Sequence, residues 1–417
     1  MPSFRDVTAA QWKAFAAAFL AWALDGFDAT ILTFVLIDIQ RSFRVDYALV
    51  GALGTIQLVF RVAGGVGAGT AADRWGRKGP LMFSVLWYSL FACASGFSTS
   101  YRMLFALRAL FGIGMGGVWA AGMPLAIEHW PARLRGVASG LLQGAYSVGY
   151  ILAAIVFQFG YPIANQQADR GWRVMLWIGI VPALLVFWIM TEVAESPVWL
   201  DRQRHLRERH ERDTVSLPRL FTADLLPATI QTSLLMGAFM VAYQSITFWY
   251  PKFLATIHRG PLPFLLALNV GGIIGAAMWG RVSETRIGRR GAFTLAMGAG
   301  IAATPLYLFA TSGVLLWIGA LSIGLFAAGS LGIMPGYLSE RFPTAARAAG
   351  AGFAYHVGAG LGAFAPYLVG ALQDRGMALA PVMGACIVGA GLLMIVCVWL
   401  GPETRGRDIS ASDQPSN

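Results

Sequence analysis

Twelve apolar runs, each close to 20 residues, dominate this 417-residue chain. They fall near 12–37, 48–70, 81–98, 102–125, 137–160 and 173–194, and again near 228–250, 262–282, 291–310, 313–334, 349–371 and 379–400. A helix rising about 1.5 Å per residue crosses a hydrocarbon layer of about 30 Å with some 20 residues. In lipid only helices and closed barrels satisfy their own backbone, so runs of this length predict an all-α integral membrane protein of twelve transmembrane helices. The composition agrees: 57% hydrophobic, 12% charged and a mean hydropathy of +0.61.

The runs divide six and six around a single long polar stretch, DRQRHLRERHERDTVSLPRLF, from Asp201 to Phe221. The expected organisation is an N-terminal six-helix half (1–200), a solvated cytoplasmic linker (201–222) and a C-terminal six-helix half (223–417), with a surface amphipathic helix as the other reading of the linker. The halves echo each other. Glu128-His129-Trp130-Pro131 with Arg135 recurs as Glu340-Arg341-Phe342-Pro343 with Arg347, and Gly76-Arg77-Lys78 recurs as Gly288-Arg289-Arg290, both displaced by 212 residues (340 − 128 and 288 − 76). Two unrelated strings with one offset indicate duplicated halves, the construction of secondary transporters that rock about a midplane site.

A net charge of +10 points to nucleic acid only in a soluble chain, and here the basic residues sit in short connections between apolar runs. With the N-terminus inside, 21 Lys and Arg fall in cytoplasmic connections and 8 in outer ones; Arg61 and Arg108, inside the membrane, complete the 31. The positive-inside rule then places both termini in the cytoplasm. The first run is too long for a signal peptide and lacks a small-residue cleavage site. Cys93, Cys386 and Cys397 are isolated in apolar segments, which excludes a CxxC metal site. No metal cluster, nucleophile elbow or phosphate loop is present in the sequence, so an enzyme is not expected, and the only energy source implied is a proton gradient.

The connection GTAADRWGRKGPL, Gly69 to Leu81, closely resembles the GxxxDRxGRK signature between helices 2 and 3 of the major facilitator superfamily. Its counterpart GRVSETRIGRR carries Glu284 in place of the aspartate and one extra residue before Gly288. Helix 4 adds RALFGIGMGG, Arg108 to Gly117, similar to that superfamily's RxxxG pattern; its glycines, like those of GAGLGAF (Gly358 to Phe364), follow no strand and read as close helix packing rather than a dinucleotide loop. LDGFDATIL in helix 1, Phe60-Arg61, the stretch AAGMPLAIEHWPARLRGVASGLLQGAYSVGY, GWRVMLWIGIVPALL and AESPVWL resemble the sialate:proton symporter family, whose members carry sialic acid or lactate-like monocarboxylates; the helix 1 feature is shared with aromatic-acid:proton symporters. Relatives often place a glutamate after the paired glycines of helix 4, where this chain has Gly116-Gly117-Val118-Trp119.

Asp25 and Asp28 lie one turn apart near the middle of the first run, and Arg61 lies near the middle of the second with Gln57 one turn before it. Each central charge costs roughly 2.5–3.5 kcal/mol, so these groups must pair or face water. Desolvation and a second acid raise a carboxyl pKa while an arginine lowers it, which makes a proton switch. The expectation is that Asp25 and Asp28 load a proton and that Arg61 holds a carboxylate substrate in its planar fork; a static buried ion pair is the alternative. His356 is a further proton-relay candidate. Gln57, Gln143, Tyr146, Gln244 and Asn269 are candidate polar liners of a substrate cavity, and Trp119 and Tyr243 candidates for stacking on a substrate ring. Asp73, Arg74, Arg77, Arg108, Glu128, Arg135, Glu340 and Arg347 are candidate gating residues, with Glu128–Arg135 and Glu340–Arg347 pairs and Asp73 latching the cytoplasmic side.

The resulting expectation is a proton-coupled symporter of a small carboxylate, a functional monomer in the bacterial inner membrane, whose partners are the anionic solute, protons and lipid, with no nucleic acid. Proton-antiport efflux of a drug or metabolite and a nontransporting membrane sensor are the alternatives; helix 5, GLLQGAYSVGYILAAIVF, lacks the GxxxGP string that resembles exporters.

Overall fold

The computed structural model describes residues 7–130, 135–166, 170–209, 217–343 and 346–405. Described residues are helical or in connecting turns, with no strand. Residues up to the polar stretch form α1 (Ala9–Phe34), α2 (Leu36–Phe43), α3 (Tyr47–Trp75), α4 (Lys78–Ser95), α5 (Tyr101–His129), α6 (Arg135–Ala164), α7 (Gly171–Trp177) and α8 (Ala183–Glu192), followed by α9 (Pro197–Arg209). The second series is α10 (Leu226–Thr247), α11 (Tyr250–Thr256), α12 (Leu262–Val282), α13 (Gly288–Phe309), α14 (Gly313–Phe326), α15 (Met334–Glu340), α16 (Arg347–Gly362), α17 (Ala365–Asp374) and α18 (Leu379–Leu400).

Ten of the described helical segments are individually long and apolar enough to cross a membrane. The third and eleventh expected spans are supplied by α4, an 18-residue helix opening on Lys78, and by the pair α16–α17, which a break after Gly362 splits into pieces of 16 and 10 residues. The polar stretch is not wholly irregular: α9 runs through its first half, started by Pro197 and by the Ser196 hydroxyl accepting the Trp199 N–H at 3.1 Å. α1 opens on a reciprocal capping box, Thr8 with Gln11, which satisfies two orphan N–H donors.

The chain forms two compact units: Met1–Asp213 with Phe248–Leu262 and Pro366–Gly376, and Thr214–Thr247 with Pro263–Ala365 and Met377–Asn417. Within the first, α1 packs on α5 and α6, and α5 on α3 and α4; within the second, α10 packs on α16 and α18, and α13 on α14 and α18. The α3–α5 contact is backbone to backbone. A Cβ at Gly112 would lie 2.1 Å from the Gln57 carbonyl oxygen, and one at Gly116 2.1 Å from that of Arg61. The glycines of RALFGIGMGG therefore serve close approach, as small residues do at membrane helix interfaces. Large apolar side chains such as Ile163, Phe159 and Leu400 point outward while charged ones are buried, the inverse of a water-soluble bundle and the pattern of a lipid-facing surface.

Candidate functional site

The intramembrane charges meet inside the first unit. Asp25 and Asp28 on α1 are 0% and 1% exposed, Arg61 on α3 is 4% exposed and Arg108 on α5 is 0% exposed. Arg61 is the cation acting on Asp25 and Arg108 the one acting on Asp28, while Asp25 repels Asp28. None of these four is held in a close ion pair among the described residues: both carboxylates, the Nε and Nη2 of Arg61 and the whole Arg108 guanidinium lack hydrogen-bond partners. The cluster is electrostatically matched but not locked by hydrogen bonds among the described residues. Arg108, which the helix 4 pattern assigned to gating, belongs with Asp28; its guanidinium stacks over Phe111 at 4.9 Å.

Two neighbours missed by sequence reasoning complete the surroundings. Tyr88 of α4 is fully buried, with both acids acting on its phenol. Gly179 leaves room for Asp28, since a Cβ there would lie 3.0 Å from Oδ1. Neither carries a sequence signal; both depend on α4 and the α7–α8 segment folding back over α1.

Trp22 lines a small recess with Ala18, Val118, Trp119, Met123 and Leu142, from α1, α5 and α6. The Arg61 guanidinium sits 5.0 Å from the centre of the Trp22 ring, and Tyr146 of α6 tilts against the same ring at 5.4 Å. Trp22 thus touches both the Arg61 guanidinium and the recess. It was missed because one tryptophan in an apolar run is indistinguishable from packing. Gln57 is 4% exposed with its Oε1 unpartnered, and Gln143 is half-buried on α6.

Tyr243, Gln244, Asn269 and His356 belong to the second unit. Asn269, 4% exposed, donates its amide N–H to the Leu265 carbonyl one turn back at 2.9 Å. Tyr243 stacks on Phe239 at 5.9 Å, Gln244 is half-buried, and the buried His356 ring meets Tyr355 edge-on at 5.5 Å.

Among the described residues, the gating carboxylates gather on the arginines of the two Gly-Arg strings. Glu128 pairs with Arg77, Nη2 to Oε1 at 3.2 Å, and Arg77 also reaches Asp73 at 2.6 Å. Burial pulls the Arg77 pKa down, but hydrogen bonds and charge from Glu128, then Asp73, outweigh it and hold it above its ordinary value. Glu340 pairs with Arg289 at 2.6 Å, and Arg289 reaches Glu284 at 2.6 Å. Each constellation lies within its own unit. The Arg135 and Arg347 side chains lie outside the described residues, and Arg74 is exposed, over the Trp75 ring at 5.7 Å.

Asp73 ends α3 rather than starting α4; the carboxylate at the start of α4 is Glu195, which accepts the N–H groups of Arg77 and Lys78 at 2.8 and 3.1 Å. Glu403 does the same for α13, accepting from Arg289 and Arg290 at 2.9 and 3.0 Å. The next residue completes the parallel: the Ser196 hydroxyl donates to Glu128, and that of Thr404 to Glu340. Gly76 and Gly288, at φ +101° and +74°, are required twice over, by backbone conformation and because a Cβ would strike these carboxylates. The Glu-Ser and Glu-Thr pairs recur at a shift of 208 residues (403 − 195), which the sequence could have revealed as a third repeat.

Helices long enough to span a membrane, duplicated charge constellations and a buried acid–arginine cluster define a membrane transporter. A family model described as Major Facilitator Superfamily matches residues 18–366, and the chain belongs to that superfamily. It is similar to the probable 4-methylmuconolactone transporter of Cupriavidus pinatubonensis, 34% identical over 95% of this chain and 91% of that one. It is also 30% identical to the cis,cis-muconate transport protein of Acinetobacter baylyi, over 93% of this chain and 92% of the relative, and 30% identical to the sialic acid transporter NanX of Escherichia coli, over 88% of each. Among solved structures, the inward-open xylose transporter XylE from E. coli matches with a TM-score of 0.74 at 20% identity, covering 96% of this chain and 98% of that one; this likeness concerns the fold.

Proposed function

We propose that the protein is a proton-coupled symporter of a small organic carboxylate, working by alternating access as a monomer in the bacterial inner membrane with both termini cytoplasmic. The observation that carries the reading is the buried, charge-matched cluster of Asp25, Asp28, Arg61 and Arg108, whose carboxylates, Arg108 guanidinium and Arg61 Nε and Nη2 have no hydrogen-bond partners. A structural ion pair gains most when its lone pairs and protons are satisfied. Here those bonds are unmade, as expected of groups whose partners come and go.

The relatives named for muconolactone, muconate and sialic acid support a carboxylate or related organic acid as cargo. In this reading an anion taken up by Arg61 withdraws that guanidinium from Asp25, so anion binding and carboxyl protonation favour each other, and the coupling runs both ways. Uptake of labelled organic acids into proteoliposomes, with and without an inward proton gradient, tests it. Accumulation that follows the gradient is the expected result; flux indifferent to it refutes symport. Arg61→Lys is expected to weaken substrate affinity, because an ammonium cannot reproduce the planar fork.

A further inference from the structure

We infer that the Tyr88 hydroxyl is a proton-relay group that carries a proton from Asp28 to Asp25. The inference rests on the proton-coupled reading above and deepens it, by naming the group through which one acid hands its proton to the other.

Tyr88 of α4 is fully buried, yet its hydroxyl has no hydrogen-bond partner among the described residues. A hydroxyl removed from water and left unmatched costs about 1–3 kcal/mol, a cost that phenylalanine, with the same ring, would not carry. Such a group calls for a role beyond packing. The ring itself is held firmly. It meets Phe111 of α5 edge-on at 6.1 Å and 81°, and a Cβ at Gly114 would lie 2.7 Å from the Tyr88 backbone nitrogen. Phe111 in turn carries the Arg108 guanidinium, 4.9 Å from its ring centre.

The Tyr88 face of α4 lies against Asp28. A Cβ at Gly179 would stand 2.6 Å from Ala92 Cβ and 3.0 Å from Asp28 Oδ1, so that oxygen is no more than 5.6 Å (2.6 + 3.0) from Ala92. Ala92 is one turn along α4 from Tyr88, on the same side. The charges of both acids reach the phenol, that of Asp28 more strongly than that of Asp25. Neither carboxylate accepts a hydrogen bond from a described residue, so the two acids do not share a proton directly.

A phenol can join them without changing its own charge. Protonated Asp28 gives its proton to the Tyr88 oxygen, breaking the carboxyl O–H bond and forming a new phenol O–H bond. The original phenol proton passes to an Asp25 oxygen. Asp28 is left a carboxylate, Asp25 a carboxylic acid and the tyrosine neutral. The hydrogen bonds for this handover are not made in this state and form as the transport cycle proceeds. With both termini cytoplasmic, Asp28 is the outer of the two acids and Asp25 the inner one, on which Arg61 acts, so the relay moves the proton toward the anion-binding arginine.

The test follows both carboxyl groups by time-resolved infrared spectroscopy of the purified full-length protein after a photoreleased drop in pH. Their C=O bands are told apart by which one disappears in Asp25→Asn and which in Asp28→Asn. In Tyr88→Phe, which keeps the ring and removes the hydroxyl, Asp25 is expected to take up its proton at least about tenfold more slowly, while Asp28 protonates at the native rate. Both bands are expected to reach native amplitude at equilibrium, which altered packing around the acids would not allow. Fluorotyrosine incorporated at position 88 keeps the shape and acidifies the hydroxyl; it is expected to change the pH dependence of the Asp25 rate, and it decides the matter if the phenylalanine variant does not fold. An unchanged Asp25 rate in either protein, or equal slowing of both acids, overturns the inference and leaves proton coupling standing. A protein in which neither acid protonates at any pH removes the proton-coupled reading as well.

Discussion

The Asp374 carboxylate at the end of α17 accepts the backbone N–H of Tyr47, the first residue of α3, at 2.8 Å, and that of Ala48 at 2.7 Å. α3 has no side-chain cap of its own, because Asp46 at the N-cap makes no such bond. The carboxylate that satisfies its orphan donors and its dipole comes from 327 residues away. Around this contact Lys252 of α11 lies 3.0 Å above the Tyr47 ring and donates to Gln373 at 2.5 Å, and Trp249 donates to the Pro366 carbonyl at 3.0 Å. A Cβ at Gly51 would lie 2.2 Å from the same carbonyl oxygen, so the helices touch backbone to backbone. Short pieces of the second sequence half are thereby fastened to the first.

Losing a helix cap costs about 1 kcal/mol, roughly fivefold in an equilibrium. Asp374→Ala is therefore expected to loosen the Tyr47 end of α3 by that factor, and Asp374→Asn by less, since its amide oxygen still accepts. The measurement is the maleimide labelling rate of a cysteine placed at buried Thr55. An unchanged rate in Asp374→Ala would mean the contact does not restrain this end.

The two charge constellations at the opposite end of α3 and at the start of α13 are related by sequence but not equal in burial. The Arg289 and Glu340 side chains are each 7% exposed, whereas Glu128 is 20% exposed against Arg77 at 10%. Removing one partner of a buried pair strands the other, at about 3–5 kcal/mol, and solvent relieves part of that cost where the pair is more open. Glu340→Gln should lower the melting temperature of the purified protein more than Glu128→Gln. The reverse order would mean that the hydrogen bonds from Ser196 and Thr404, rather than the charge pairs, hold these turns together.

Glu403 links that architecture to pH. Burial pushes its carboxyl up, but the N–H groups of Arg290, Arg405, Arg289 and Thr404 together outweigh it and hold the pKa below the ordinary 4.5. A carboxyl depressed on folding contributes stability that is present above its unfolded pKa and is lost as pH falls through the native one. Thermal unfolding followed from neutral pH down into the acid range should therefore show a steeper fall for the native protein than for Glu403→Gln, whose stability is expected to be lower at neutral pH and less dependent on acid. Parallel curves would remove Glu403 as an acid-sensitive anchor.

Much of this arrangement was legible in the chain. Run length and the 212-residue offset carry the helical fold and its duplication, because apolar length and repeated turn chemistry are local properties. The acids at 25 and 28 and Arg61 stood out because charge in lipid is costly wherever it falls. What stayed hidden depends on which helices meet. Arg108 reads as a superfamily pattern until α5 brings it to Asp28, and Trp22 reads as packing until Arg61 and Tyr146 bracket it. Asn269 shows why such residues are hard to read: that its amide donates to its own helix's Leu265 carbonyl is visible only once the helix is built.

Asp28 and Arg108 offer the sharpest test of the buried cluster. Both are essentially inaccessible, and Arg108 is the cation acting on Asp28. Asp28→Asn leaves the wholly inaccessible Arg108 guanidinium without its counter-charge, whereas Arg61, the cation acting on Asp25, keeps 4% of its surface exposed. Asp28→Asn is accordingly expected to destabilise the protein more than Asp25→Asn, and adding Arg108→Gln should recover part of the loss. A double-mutant cycle on Asp28 and Arg108 is expected to give a coupling of about 1–3 kcal/mol, as for residues sharing a charge network. Additive losses would mean that the two charges are solvated independently, and the cluster would then lose its role as a shared electrostatic centre. Transport separates the two acids further: if both serve proton movement, each asparagine variant should retain exchange of substrate across proteoliposomes while losing accumulation against a gradient. Equal loss of both activities in both variants would assign Asp25 and Asp28 to holding the fold instead.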